Sequence, residues 1–134
     1  MIKLSIEDLT GDALNWAVGT AQGGIYDAKS NTWTWPTNPV TYSAKAPDYA
    51  AEPALVYPII SNEKMITGPC DPEGRRWFAE YADDHARAIG RTLLVAAMRC
   101  FVASKCREEF VEVPDEFVSP IIRQMQRISE KSRG

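Results

Sequence analysis

Apolar residues fall at helical spacing in three places along the chain. Ala13, Leu14, Ala17, Val18 and Ala21 recur at intervals of three and four, which predicts a helix from about Gly11 to Ala21. Thr10 stands at its N-cap position, Leu9 and Leu14 at the two positions of a hydrophobic staple, and Gly23-Gly24 at a left-handed stop. The strongest periodic segment is Thr92 to Arg107. There Leu93, Ala96, Ala97, Cys100, Phe101 and Ser104 share one stripe, and Val95, Met98 and Val102 widen it into a surface that only a mostly buried, central helix would carry. Its start is open between Asp83 and Thr92, because Gly90 is the one residue of poor helix propensity between them. The third helix has Ser119 as cap and Pro120 at its first position, where a missing amide is harmless. Ile121, Ile122, Met125 and Ile128 form its apolar face, and Arg123, Arg127 and Lys131 a basic stripe.

Strand signals are shorter. Leu55 to Ile60 is rich in β-branched and aromatic residues, and Pro58, which cannot donate to a ladder, places the strand from Ile59 onward. Asp71-Pro72-Glu73-Gly74 suits a type I turn, so residues 59–67 and 75–81 are expected to pair as a hairpin with Trp77, Ala79 and Tyr81 on one face. Phe110 to Val113 alternates as a short strand that ends at Pro114. The expected architecture is one α+β domain over residues 1–134: a long central helix packed on a small, mainly antiparallel sheet, with helices near both termini. Leu93, Ala97, Cys100, Phe101 and Val102 are its expected core, together with Leu14, Val18, Ile59 and Trp77.

Composition narrows the class without naming a function. A chain of 134 residues with 45% apolar and 25% charged side chains is an ordinary globular domain, able to bury roughly two-thirds of its unfolded surface. The longest wholly apolar run, Leu93 to Met98, is far below the roughly 20 residues of a membrane span. The segment from Met1 reaches Glu7 and Asp8 before any apolar stretch builds up, unlike a signal peptide, and three cysteines do not form a paired disulfide framework. A cytoplasmic protein is expected. Its net charge of −3 conceals an asymmetry: residues 1–118 carry 11 basic and 17 acidic side chains, a balance of −6, whereas residues 119–134 carry four basic and one acidic, a balance of +3. Five of the nine prolines fall between Pro36 and Pro58, and no glycine occurs between Gly24 and Gly68. Residues 26–58 therefore read as a stiff excursion.

Catalytic signatures are missing from this pattern. Cys70, His85, Cys100 and Cys106 are nominal zinc ligands, yet they lie 15, 15 and 6 positions apart, unlike the close pairs of a zinc knuckle. A cysteine nucleophile would need a neighbouring base, and His85 is the sole histidine. Asp83-Asp84-His85 is the densest titratable cluster and would seat a general base or a divalent ion; a solvated charged turn is the plainer reading. No glycine-rich phosphate loop, nucleophile elbow or metalloprotease helix occurs. The expectation is a protein that is not an enzyme and uses no metal or cofactor.

Surfaces carry more information. Residues 26–57 hold six of thirteen aromatics, and Trp33, Trp35, Tyr42 and Tyr49 are the candidate partner-binding residues, because large aromatics on loops supply contact area at small entropic cost. Trp33 and Trp35 would project from one side of an extended chain, either toward a partner or back over the core. Arg123, Arg127 and Lys131 are candidates for anion or nucleic-acid contact, or else form a solvated helix face.

The segment from Gly90 to Lys105, followed by Glu112-Val113-Pro114, resembles the C-terminal signature of the NinX-like phage proteins. The opening Leu9-Thr10-Gly11 to Val18 is similar to that family's first helix, and Tyr42-Ser43 and Pro58-Ile59-Ile60 to its middle motif. The chain departs from the family in reading Gly90-Arg91-Thr92-Leu93 where a Gly-Pro-Thr-Pro entry is common, and in having Tyr49 where Trp is frequent. The resemblance favours Thr92 as the helix cap and implies a phage or prophage accessory protein without implying a reaction. The function expected is therefore non-enzymatic binding of a host or phage protein in the bacterial cytoplasm, related to counter-defence, recombination or replication. Nucleic-acid or nucleotide binding through the last helix and exposed aromatics is the first alternative, and a small metal-dependent hydrolase built on Asp83, Asp84 and His85 the second. Self-association is left open by the width of the last helix's apolar face.

Overall fold

Thr92 starts the helix around which the rest of the chain is arranged. The computed structural model describes the backbone of residues 1–35, 42–43 and 46–133, and the side chains of all of these except 42, 43, 126, 127 and 129–133. In chain order the elements are β1 (Ile2–Ser5), α1 (Gly11–Ala21), β2 (Ile25–Asp27), β3 (Thr32–Thr34), β4 (Tyr42–Ser43), α2 (Pro53–Glu63), β5 (Met65–Pro69), β6 (Trp77–Tyr81), β7 (Arg87–Gly90), α3 (Leu93–Cys106), β8 (Phe110–Val113) and α4 (Pro120–Arg133). The fold is α+β, as the sequence implies. Its antiparallel strands form three small sheets among the described residues: β1 with β8, β2-β3-β4, and β5-β6-β7. None of the described helices is long and apolar enough to cross a membrane.

Helix α3 packs against β5-β6-β7 on one side and against α1 on the other. Ala96 to Val102 are all buried, so the helix is enclosed on most of its circumference. Thr92 caps it, its hydroxyl accepting from the Val95 amide at 3.1 Å. The segment before it, which the sequence left open to a longer helix from Asp83, is instead strand β7, paired with β6 from Trp77↔Gly90 to Glu80↔Arg87. Gly90 lets this strand and the helix meet: a Cβ there would lie 2.6 Å from the Ala96 amide nitrogen.

A second difference concerns residues 53–63. The expected strand from Ile59 is the helix α2, with Pro53 in its first turn and Pro58 inside it. Val56 and Ile59 are buried while Ala54, Tyr57, Pro58 and Ser61 are exposed, which is helical spacing with the proline on the solvent side. Ala54, whose carbonyl loses its in-helix donor to Pro58, is itself exposed, so that carbonyl is not left unpaired in the core. The hairpin itself forms, with β5 beginning at Met65, in the register Met65↔Tyr81 to Pro69↔Trp77. Asp71 holds its turn, its carboxylate accepting from the Arg75 amide at 2.9 Å and its carbonyl from Gly74 at 3.2 Å.

Helix α1 has the expected bounds. Leu9 and Leu14 are fully buried, but the Thr10 hydroxyl makes no cap hydrogen bond, so the staple rather than the cap fixes this end. At the other end Gly24 donates to the Gly19 carbonyl at 2.9 Å and Gly23, at φ +87°, donates to Thr20 at 3.0 Å, a Schellman closure. Of the expected core, Leu14, Val18, Ile59, Ala97, Cys100, Phe101 and Val102 are buried. Leu93, in the first turn of α3, and Trp77, whose indole donates to the Gly74 carbonyl at 3.2 Å, are only partly buried.

Candidate functional site

The β6–β7 connection and the last turns of α3 bring the chain's densest polar cluster together. Tyr81 donates from its amide to Ala86 at 3.1 Å and Asp84 from its amide to Tyr81 at 2.9 Å, closing a tight turn that carries Asp83, Asp84 and His85. The Asp83 carboxylate hydrogen-bonds Nδ1 of His85. On the far side of the ring, Nε2 lies 2.7 Å from Oγ of Ser104 on α3. The imidazole rests against the ring of Tyr81, with centroids 4.2 Å apart. Tyr81 donates to Oε1 of Glu63 at 2.9 Å, and Nζ of Lys105 reaches the same oxygen at 2.8 Å. Thus α2, β6, the turn and α3 each contribute to one network.

Charges in the network follow from these contacts. The hydrogen bond to Lys105 is the main cause holding the Glu63 carboxyl below its ordinary value, and the bond to His85 does the same for Asp83. Burial pushes the Tyr81 hydroxyl well above its usual range, so it stays a proton donor. Burial likewise pushes the Cys100 thiol up to about 12, which leaves it an inert core residue.

These positions bear on the metal reading. Both ring nitrogens of His85 already have protein partners, Asp83 and Ser104, and no group of three or more ligating side chains occurs among the described residues. Cys70 and Cys106 are exposed and Cys100 is buried, so the four nominal zinc ligands are not assembled.

The aromatic excursion folds back where it is described. Trp33 is fully buried against α1, where a Cβ on Gly19 would stand 3.2 Å from its ring. Trp35, partly buried, stacks on it with centroids 5.9 Å apart, and Tyr26 packs on its other neighbours Trp33 and Phe117. Tyr49 is buried, donating to Oε1 of Gln22 at 2.7 Å. Asn15 holds the same returning segment of the excursion: its amide donates to Asp48 at 3.0 Å and accepts from Ala50 at 2.8 Å. Trp33 and Tyr49 therefore serve the core and are withdrawn from a contact surface; the side chain of Tyr42 lies outside the described residues.

The apolar face of α4 is the opposite case. Ile122 packs on the core, whereas Ile121 is 71%, Met125 57% and Ile128 62% exposed. Arg123 is partly buried and lies close enough to Asp115 to help lower its carboxyl pKa, after the stronger effect of the Met1 amino group, so it faces the body and not open solvent. The side chains of Arg127 and Lys131 lie outside the described residues.

A residue the sequence reasoning passed over is Arg99. Buried in the middle of α3, it donates from Nε to the Leu9 carbonyl at 2.9 Å and from Nη1 to Ile89 at 2.8 Å, tying the helix to the entry of α1 and to the edge strand β7. It also lines an open cavity of about 430 Å³ with Ser5, Glu7, Arg87, Glu109 and Phe110. A cation inside the run Leu93 to Val102 was the available signal, because a charge in a buried stripe must find partners.

Comparison with known proteins agrees with the motifs. The family model described as bacteriophage P22 NinX matches residues 5–105, which run from the last residue of β1 to the last turn of α3 and exclude β8 and α4. No curated protein matches the chain. The chain belongs to the bacteriophage P22 NinX family.

Proposed function

We propose that this phage accessory protein works by binding a host or phage protein, and that its contact surface is the apolar side of α4. The observation that carries the reading is the exposure of Ile121 and Met125 on a 14-residue helix anchored at its first turn by Ile122. An amphipathic helix ordinarily buries such a stripe, and anchors one turn apart are the pattern by which a helix seats itself in a partner's groove. The +3 balance of residues 119–134 gives the partner's groove an acidic rim. Roles in counter-defence, recombination or replication suit an accessory protein that acts through such a contact, and none of them requires this chain to turn over a substrate.

Capture from host lysate tests the assignment with wild type, Ile121→Asp/Met125→Asp and the exposed control Arg76→Ala. A partner held by wild type and control and lost by the double variant, at an unchanged melting temperature, is the expected result. Identical partner sets for all three would overturn it. If the partner is a second copy, sedimentation will show a dimer that the double variant dissolves. The nucleic-acid reading draws less support, because Arg123 is partly buried near Asp115 and the rest of the chain is acidic. It would show as retention on DNA at low salt, weakened by Arg123→Ala/Arg127→Ala.

A further inference from the structure

We propose that Ser104 is the nucleophile of a surface relay, Asp83–His85–Ser104, that transfers acyl groups from small carboxylic esters to water. The inference goes beyond the binding reading and does not rest on it. It also replaces the metal-dependent hydrolase with a metal-free one, since the contacts that occupy both nitrogens of His85 are those a serine nucleophile needs. Acyl transfer by a hydroxyl requires a base within hydrogen-bond reach of it and a third group that fixes the base's tautomer. His85 Nε2 stands 2.7 Å from Ser104 Oγ, and Asp83 holds Nδ1. The ring of Tyr81 supports the imidazole from one face. The serine and the histidine lie 19 positions apart and on different elements, so the alignment comes from the packing of β6 and β7 on α3.

The step balances without any further reagent. Ser104 Oγ bonds to the ester carbonyl carbon as its proton passes to His85 Nε2; the C–O bond to the leaving group breaks, and the departing alkoxide takes that proton as an alcohol. Water then attacks acyl-Ser104, His85 accepts the water's proton and returns it to Ser104 Oγ, and the carboxylic acid is released. Asp83 is 72% and His85 39% exposed, so the relay lies open to solvent instead of in a cleft. That openness fits small, unhindered esters and keeps the general-base contribution near the low end of its usual range of about 10²–10⁴-fold.

A fluorophosphonate probe tests the nucleophile directly, because attack by Ser104 forms an O–P bond and expels fluoride with no further reactant. Tryptic cleavage isolates residues 100–105, in which Ser104 is the sole hydroxyl. The expected result is probe on that peptide, absent in Ser104→Ala and about a hundredfold slower in His85→Gln, the low end of a general base's usual contribution. Hydrolysis of p-nitrophenyl acetate should fall with the same variants. All three positions lie at or near the surface, and melting temperatures will show that the variants remain folded. No probe on Ser104, or the same labelling rate in His85→Gln as in wild type, would overturn the proposal. Neither outcome bears on α4.

Discussion

Helices α3 and α4 have 14 residues each and stand 13 positions apart, yet the chain treats them in opposite ways. Helix α3 is apolar around most of its circumference and is buried from Ala96 to Val102. Its one charge there, Arg99, is tied to two backbone carbonyls. Helix α4 divides its residues sharply between an apolar and a polar side, and leaves Ile121 and Met125 exposed. A helix without a strong polar face must be enclosed by its own domain, whereas a sharply two-faced one is satisfied only when something covers its apolar side. The family match adds a parallel distinction, since it includes nearly all of α3 and stops before α4. The difference separates what holds the fold from what is available for contact.

Truncations should divide along the same line. Met98→Ala, at a fully buried position of α3, is expected to lower stability by about 2–5 kcal/mol in denaturant melts. Next comes Asn15→Ala, which removes the clamp between α1 and the segment at Asp48 and Ala50 and leaves a partly buried amide unpaired, a loss of about 1–3 kcal/mol. Thr92→Ala, by removing the cap of α3, should cost about 1 kcal/mol in the same melts. Met125→Ala, on α4, is expected to stay within about 0.5 kcal/mol of wild type. A large loss there would mean that α4 belongs to the core and would dissolve the contrast.

The pH profile sharpens the comparison further. Glu63 has a folded pKa below its ordinary 4.5, chiefly through Lys105, so its stabilisation is present above that value and is lost as pH falls through the folded pKa. Cys100 is raised from 9.0 to about 12, so its contribution is complete below pH 9 and is lost between there and about 12. Thermal melts should therefore show a plateau bounded by an acid and an alkaline decline. Lys105→Met should flatten the acid arm, and Ile121→Asp/Met125→Asp should leave both arms unchanged.

Much of α3 and its surroundings was legible because it is written in local periodicity. The bounds of α1, the turn at Asp71 to Gly74, and the end of α3 follow from spacing and turn chemistry. Strands β1 to β4 were not read at all, and two further elements were misread. Pro58 and its β-branched neighbours signal a strand, whereas residues 53–63 form a helix that buries Val56 and Ile59 and leaves Pro58 exposed. Strand β7 is four residues long and leaves Ile89 41% exposed, so its alternation is too brief and too imperfect to stand out from a helix-compatible stretch. The aromatics of the excursion were read as one group, but tertiary packing divides them, since composition does not reveal that Gly19 leaves room for Trp33. Asp83 and His85 were visible as a cluster, while Ser104 read only as one position on an apolar stripe. Their meeting depends on how a hairpin lies across a helix, which no local pattern encodes.

The contrast between the two helices is tested most directly by measuring, in calorimetry, the affinity of the captured partner for wild type and for Ile121→Asp/Met125→Asp, with both proteins equally folded. The account predicts that wild type binds with a negative heat-capacity change, the mark of buried apolar surface, and that the double variant does not bind. Equal affinity for the two proteins would contradict it.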